Sequence, residues 1–309
     1  MNREMSESLQ PHVAPSLSVI VPTLNGEKPK GLIADSRLEV IFVNGVSPVG
    51  KARNEGLRRA TGDYVAWVDA DDEIMDDWLP EILAALESSP DVVTIDAKMV
   101  GWEGRRDYVW GLAEKDATID RLRRDVYRDI NRPSALWLYV MRRSLWEGLQ
   151  FDEEARVAED YLILPKVLER AKSCVYVPKM LYRYVCNPNS LINTQNFQLD
   201  LEVMKLWARR LEEAPREHRG ECLWGMAVSC YWVCDRVALD AKVAALPYAE
   251  ECALRCRTTI RRCMGFLLHE VFVEHDLAIR DRFAWYLRFF CAATDWWWIQ
   301  KLRYRRRRK

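Results

Sequence analysis

Apolar positions fall first into short runs broken by turn residues and later into long stretches spaced by three and four, so two kinds of structure are expected in sequence. Residues 17–21 read as a short buried strand that stops at Pro22, which has no amide hydrogen to offer a sheet. Residues 38–43 form a second such run, ending in the turn pair Asn44 and Gly45, and residues 64–68 form a third. Helical spacing over 51–60 ends at Thr61 and Gly62; a helix over 77–87 and a strand over 92–95 follow. Strands alternating with helices predict an α/β domain with a mostly parallel sheet, whose ligands bind at the carboxyl ends of strands.

Residues 107–131 are highly charged and read as a lid or surface insertion. A strand over 135–141, a helix over 158–171 and a short strand over 174–177 come next. From about Leu199 the pattern is helical throughout, as in Leu199, Val203, Leu206 and Trp207, or Leu223, Met226, Ala227, Cys230 and Val233. The expected organisation is a flexible leader over 1–15, a mixed α/β domain over 16–195 and a helical region over 196–309. No internal repeat is found.

Charge sharpens this picture. The 309 residues hold 46 basic and 46 acidic side chains, but residues 301–309 contain seven Lys or Arg and no acid. Residues 1–300 therefore carry 39 − 46 = −7, an acidic body beside a basic tail. A helix over 280–302 would place Phe283, Tyr286, Leu287, Phe290 and Trp297 on one face, with Trp296 to Trp298 beside the tail. That is the pattern of an interfacial helix on an anionic membrane surface; the alternative is a helix packed on the protein with a solvated tail. No run of 18 apolar residues occurs, and the leader is polar, so with nine cysteines the expected place is a reducing cytoplasm, peripheral at the inner membrane face. Nucleic acid is not expected as a partner.

The sharpest chemical signal is Val68-Asp69-Ala70-Asp71-Asp72-Glu73 at the end of the third strand. Hard carboxylate oxygens there suit Mg²⁺ or Mn²⁺ bridging two phosphate oxygens; the alternative is that the acids cap the following helix. Glu159 and Asp160 are two further acids on a predicted helix, equally compatible with a solvated helix face. Cys230 and Cys234, with Cys252 and Cys256, lie four apart on helices and would suit either a four-thiolate zinc site or small core positions. His12, His218, His269 and His275 have no metal spacing.

Three segments taken together, Ser18 through Pro22, Thr23 and Asn25, then Ala52-Arg53-Asn54-Glu55-Gly56-Leu57, then Ala60-Thr61-Gly62-Asp63 through Asp72, resemble the family 2 glycosyltransferases in order and spacing. Glu159, Asp160 and residues 181–190 resemble that family's later motifs, and the likeness covers roughly 16–195. It implies a GT-A domain of the bacterial cell-surface glycan type, a nucleotide-diphosphate sugar as donor, and a glycan or lipid-linked saccharide as acceptor. Pro22, Thr23, Asn25, Asn44, Arg53, Asp69 and Asp71 would then hold the donor, Asp71 and Asp72 the metal, and Asp160 or its neighbour Glu159 would act as general base. Arg183 and Ser190 would touch phosphate or acceptor, with a sheet-edge role as the alternative for Arg183. The implied reaction is an inverting glycosyl transfer.

Two departures stand out. The family's second strand is normally followed by paired aspartates, one reading the base, whereas here Phe42-Val43-Asn44-Gly45 offers no carboxylate. The stretch from Asn25 to Ala52 is also short, so 38–44 fits either the family's second strand or its third. These gaps motivate a competing expectation, a nucleotide-binding or scaffold protein of the same fold that has lost turnover.

Overall fold

The computed structural model describes residues 16–101, 108–111, 117–128, 134–187, 197–272, 285, 287–290 and 292–293. Backbone packing sorts the chain into two compact units that interleave rather than divide at one point near 195. The first takes 1–119, 135–154 and 167–185; the second takes 120–134, 155–166 and 186–309.

The first unit is built on one mixed sheet. Its strands are β1 (Leu17–Thr23), β2 (Leu38–Asn44), β3 (Tyr64–Trp67), β4 (Glu73–Ile74), β5 (Val92–Val100), β6 (Tyr108–Trp110), β7 (Tyr139–Arg142) and β8 (Cys174–Val185). They lie in the order β2-β1-β3-β7-β5-β8-β4, with β6 added to β5. The pairs β1–β2, β1–β3 and β5–β8 are parallel, and the other four are antiparallel. Helices α1 (Val49–Arg59) and α2 (Trp78–Leu86) belong to this unit. Leu17, Val19, Ile20 and Val21 of β1 and Val65 of β3 are wholly buried, as continuous apolar runs in central strands require.

β1 runs through Pro22 to Thr23, two residues past the predicted stop. Ile20 faces β3, where its carbonyl accepts the Val68 amide, so Pro22 faces the same way, beyond the last β1–β3 pair at Ile20 and Trp67. The missing amide hydrogen therefore costs no ladder bond. β2 pairs directly with β1 along seven residues, which gives it the place beside β1. β8 is three times longer than the predicted 174–177 because its ladder with β5 shifts register between Val177 and Met180, and Pro178 falls in that irregularity.

The second unit is helical: α3 (Ile119–Arg128), most of α4 (Glu159–Arg170), α5 (Phe197–Glu213), α6 (Arg219–Leu239), α7 (Ala241–Ala244) and α8 (Ala249–Phe272). The predicted lid over 107–131 is overturned: it contains β6 and α3, and Leu122 and Val126, four apart, are fully buried. The paired charges Arg121 and Asp125 masked that apolar stripe in the sequence. Arg210 is 2% exposed and lies over the rings of Tyr127, Tyr161 and Trp207 at 5.3, 5.7 and 4.7 Å. It also donates to the Val126 carbonyl and to Ser134 Oγ, tying α3, α4 and α5 together.

Cys230, Cys234 and Cys256 sit in the buried helical core, where Cys234 Sγ donates to the Ala253 carbonyl and Cys256 Sγ lies 3.2 Å from Met204 Sδ. Among the described residues no group of three or more His, Cys, Asp or Glu is placed to hold a metal, so these thiols are core side chains and the zinc alternative falls. His218 stacks on Tyr127 at 4.7 Å. Of the predicted helix over 280–302, residues 285, 287–290 and 292–293 are helical. Trp285, Phe289, Ala292 and Ala293 pack into the same core, with Trp285 and Phe289 edge-on to the buried Trp224. Residues 294–309, with the basic tail, lie outside the described residues. Among the described residues no helix is long and apolar enough to cross a membrane.

Candidate active site

The carboxyl ends of β1 and β2 lie side by side, Thr23 opposite Asn44, and the Gly45 amide donates to the Thr23 carbonyl at 2.9 Å. β3 leads into Val68 and Asp69 beside them. From α1, Arg53 Nη2 donates to Asp69 Oδ1 at 3.1 Å, and its guanidinium lies 5.9 Å from the Phe151 ring centre. The next residue holds that ring in place: Asn54 Nδ2 donates to the Phe151 carbonyl at 3.0 Å and Asn54 Oδ1 accepts the Phe151 amide at 2.8 Å. Arg53 and Asn54 thus divide the work, one facing the acids and the other fixing what the first packs on.

The acidic loop is anchored by β8. The Tyr182 hydroxyl donates to Asp72 Oδ2 at 2.6 Å and accepts the Asp69 amide at 3.2 Å, while the Val185 amide donates to Asp72 Oδ1 at 2.8 Å. Tyr182 is fully buried and stacks on Trp137 at 4.8 Å with the rings 2° from parallel. Burial, and then the charge of Asp69, push the Asp72 carboxyl up to about 8, against the hydrogen bonds from Tyr182 and Val185. Each oxygen of Asp72, expected as a metal ligand, thus accepts one hydrogen bond that holds the loop to β8. Burial and the neighbouring acids also raise the Tyr182 phenol well above its ordinary value, so it remains a donor.

Asp71 is exposed and Asp69 half-exposed. These two carboxylates fit a hard cation of the Mg²⁺ or Mn²⁺ kind, which is usually held by one or two carboxylates with its shell completed by substrate phosphates.

Residues after β1 cross onto the acidic loop. Lys30 and Glu73 form a parallel bridge, the Ile74 amide donates to the Lys30 carbonyl at 2.8 Å, and Lys30 Nζ reaches Glu73 Oε1 at 2.8 Å. Gly31 has φ +79°, and a Cβ there would stand 1.9 Å from the Ile74 oxygen, so only glycine allows the crossing. Arg183, opposite Glu73 in the β4–β8 ladder, donates to Glu73 Oε2 at 2.9 Å. It is a sheet-edge ion pair beside the site, and Ser190 lies outside the described residues.

Nearer the surface, Thr23 Oγ1 donates to Glu27 Oε2 at 2.8 Å, the Asn25 amide to the same oxygen at 3.1 Å, and Asn25 Nδ2 to Oε1 at 3.0 Å. Glu27 was not among the predicted site residues; its one sequence signal is its position two residues after Asn25. The first unit therefore brings together Pro22, Thr23, Asn25, Asn44, Arg53, Asp69, Asp71 and Asp72 at one end of the sheet. Glu159 and Asp160 open α4 in the second unit, Glu159 buried and Asp160 half-buried in the first turn of the helix. Ala158 just before them has φ +55°, a left-handed conformation that costs a side-chain-bearing residue energy.

Comparison with known proteins bears on the family and the fold. Residues 27–146 match the family model described as Glycosyl transferase family 2. Succinoglycan biosynthesis protein ExoO of Rhizobium meliloti (strain 1021) is 26% identical over 185 residues, covering 56% of this chain and 53% of that protein. The uncharacterized glycosyltransferase EpsJ of Bacillus subtilis (strain 168) is 29% identical over 170 residues, covering 51% and 47%. The chain thus spans about half the length of these curated relatives. In fold it is similar to S. aureus TarS 1-349 solved in complex with UDP-GlcNAc, with TM-score 0.60, 18% identity and 91% of each chain covered. Residues 27–146 are thus similar to the family 2 glycosyltransferases, and the fold is of the GT-A kind.

Proposed function

We propose that this protein transfers a glycosyl group from a nucleotide-diphosphate sugar to a hydroxyl of a glycan or lipid-linked saccharide, with inversion at the anomeric carbon. The observation that carries the reading is the buried Arg53 paired with Asp69, beside the exposed Asp71, at the carboxyl ends of β1 to β3. Arg53 would engage the diphosphate, exchanging part of its contact with Asp69 for phosphate oxygens. Pro22, Thr23, Asn25 and Asn44 would lie along the nucleoside, with Asp69 at the ribose. Asp71, supported by Asp69, would hold Mg²⁺ or Mn²⁺, which when bound supplies positive charge to offset the departing diphosphate. Asp72 would keep that loop in place through β8.

Asp160, with Glu159 beside it, would take the proton of the acceptor hydroxyl as its oxygen bonds to the anomeric carbon. The bond from that carbon to the diphosphate oxygen breaks as the new one forms, and the nucleoside diphosphate leaves with the electron pair. One displacement gives inversion. The place of action proposed is the cytoplasmic membrane face, reached through the side of the last helix that carries Leu287 and Phe290 and through the seven cations of 301–309. Each cation near an anionic surface would contribute about 1 kcal/mol.

The test is calorimetric titration of the full chain with UDP, GDP, CDP and ADP, with and without MnCl₂. Tight binding of one nucleotide that depends on Mn²⁺ and weakens in Asp71→Ala supports the proposal. No binding of any nucleotide under either condition contradicts it.

A further inference from the structure

Within the first unit, β6 and β8 flank the second half of β5, and Trp110, Ala97 and Tyr182 stand opposite one another across the three strands. Their side chains therefore share one face of the sheet, and Tyr184, two residues after Tyr182, shares it with them. Trp137 lies against the same face, with its ring 4.8 Å from Tyr182, 6.0 Å from Tyr184 and 5.3 Å from Trp110. Trp110 in turn meets Tyr184 edge-on at 6.3 Å. Tyr182, Trp137 and Ala97 are buried, whereas Trp110 and Tyr184 are partly exposed. The inner rings thus back the outer two, which present aromatic surface to solvent.

Position ties these rings to the proposed site. Tyr184 falls between the two β8 residues that bond Asp72, Tyr182 through its hydroxyl and Val185 through its amide. The acidic loop leaves β3 beside β1 and ends in β4, which pairs with β8, so the rings stand at the end of the loop away from the proposed nucleoside strands. A pyranose carries axial C–H groups, apolar and weakly positive, that suit the negative face of an aromatic ring. The donor has its diphosphate for affinity; the sugar that accepts the transfer has no charge and must draw on ring contacts and hydrogen bonds. We propose that Trp110 and Tyr184 form a shelf on which a pyranose ring of the acceptor saccharide stacks. The inference rests on the proposed glycosyl transfer and adds to it the residues that receive the acceptor sugar. Because Tyr182 and Trp137 hold the shelf from behind, little side-chain freedom is lost when a sugar settles on it.

The test is saturation-transfer NMR on the full chain with MnCl₂ and each of UDP, GDP, CDP and ADP in turn, irradiating aromatic protons. The probes are the methyl pyranosides of glucose, galactose, mannose and N-acetylglucosamine. At least one is expected to receive saturation, strongest at the axial C–H protons of one face. Trp110→Ala and Tyr184→Ala should each weaken its binding about twofold to tenfold, the worth of an aromatic contact, while Trp110→Phe and Tyr184→Phe keep most of it. If the wild type binds a nucleotide but saturates no pyranoside, or saturates all its protons alike, this inference fails while the nucleotide site stands. It fails in the same way if the alanine variants bind the sugar as tightly as the wild type. If those variants instead weaken a nucleotide sugar relative to its nucleoside diphosphate and leave the pyranosides unaffected, the shelf belongs to the donor and the inference fails. If the wild type binds no nucleotide, the underlying functional reading fails, and this inference with it.

Discussion

The Tyr182 hydroxyl accepts the Asp69 amide and donates to Asp72, so one buried group on β8 fixes both ends of the acidic loop. Tyr182→Phe keeps the ring stack on Trp137 but leaves the buried Asp72 oxygen and the Asp69 amide each short of a partner. The expected cost is about 1–3 kcal/mol. Urea denaturation measures it, and Mn²⁺-dependent nucleotide affinity should fall in the same variant.

Arg53→Ala is expected to weaken binding of a nucleoside diphosphate about tenfold to a hundredfold, the worth of a charge-assisted contact to phosphate. Binding of the matching free nucleoside should change little. Parallel titrations of UDP and uridine, or GDP and guanosine, make the comparison; equal losses for both would place Arg53 away from the diphosphate.

Gly31 and Gly148 both have positive φ, +79° and +69°, but a Cβ on Gly31 would strike the Ile74 oxygen while one on Gly148 would meet nothing within 4 Å. Gly148→Ala should cost about 1–2 kcal/mol, the strain of the left-handed region alone. Gly31→Ala should cost clearly more and loosen the Lys30–Glu73 bridge. Chemical denaturation of the pair separates clash from strain.

Glu27 has a folded-state pKa of about 2, below the ordinary 4.5, so between these values the folded protein binds fewer protons than the unfolded chain. Its contribution to stability is present above pH 4.5 and is lost as pH falls toward 2. The thermal midpoint of the wild-type protein relative to Glu27→Gln should therefore be constant from pH 7 to about 5 and shrink below. A difference that grows on acidification would contradict the hydrogen-bond pattern at Thr23 and Asn25.

Much of the first unit was legible because β1, β2 and β3 are short, mostly apolar runs, with Ser18 and Glu39 as the polar exceptions before Pro22, Asn44 and the acidic loop. Arg53 and Asp69 stood out through the motifs that contain them, and the structure pairs them. The carboxyl half of β8 was hidden because Pro178 and Lys179 break the apolar pattern at the register shift. α3 was hidden because its buried apolar residues, Leu122, Val126 and Tyr127, stand amid arginines and aspartates, of which Asp125 and Arg128 are themselves buried. Glu27 could not be found from spacing, since its value lies in three hydrogen bonds made by a turn. Asp72 looked like its neighbours in the sequence, and burial against Tyr182 separates it from them.

The central claim is glycosyl transfer from a nucleotide sugar with Asp71 and Asp160 in distinct roles. The most direct measurement is release of nucleoside diphosphate from a panel of nucleotide sugars with Mn²⁺, comparing wild type, Asp71→Ala and Asp160→Asn, each checked for fold by circular dichroism. Turnover of at least one donor by the wild type is expected, with about a hundredfold or greater loss in both variants and nucleotide affinity kept only in Asp160→Asn. Undiminished turnover in both variants, or none from any donor by a wild-type protein that binds nucleotide, would contradict it.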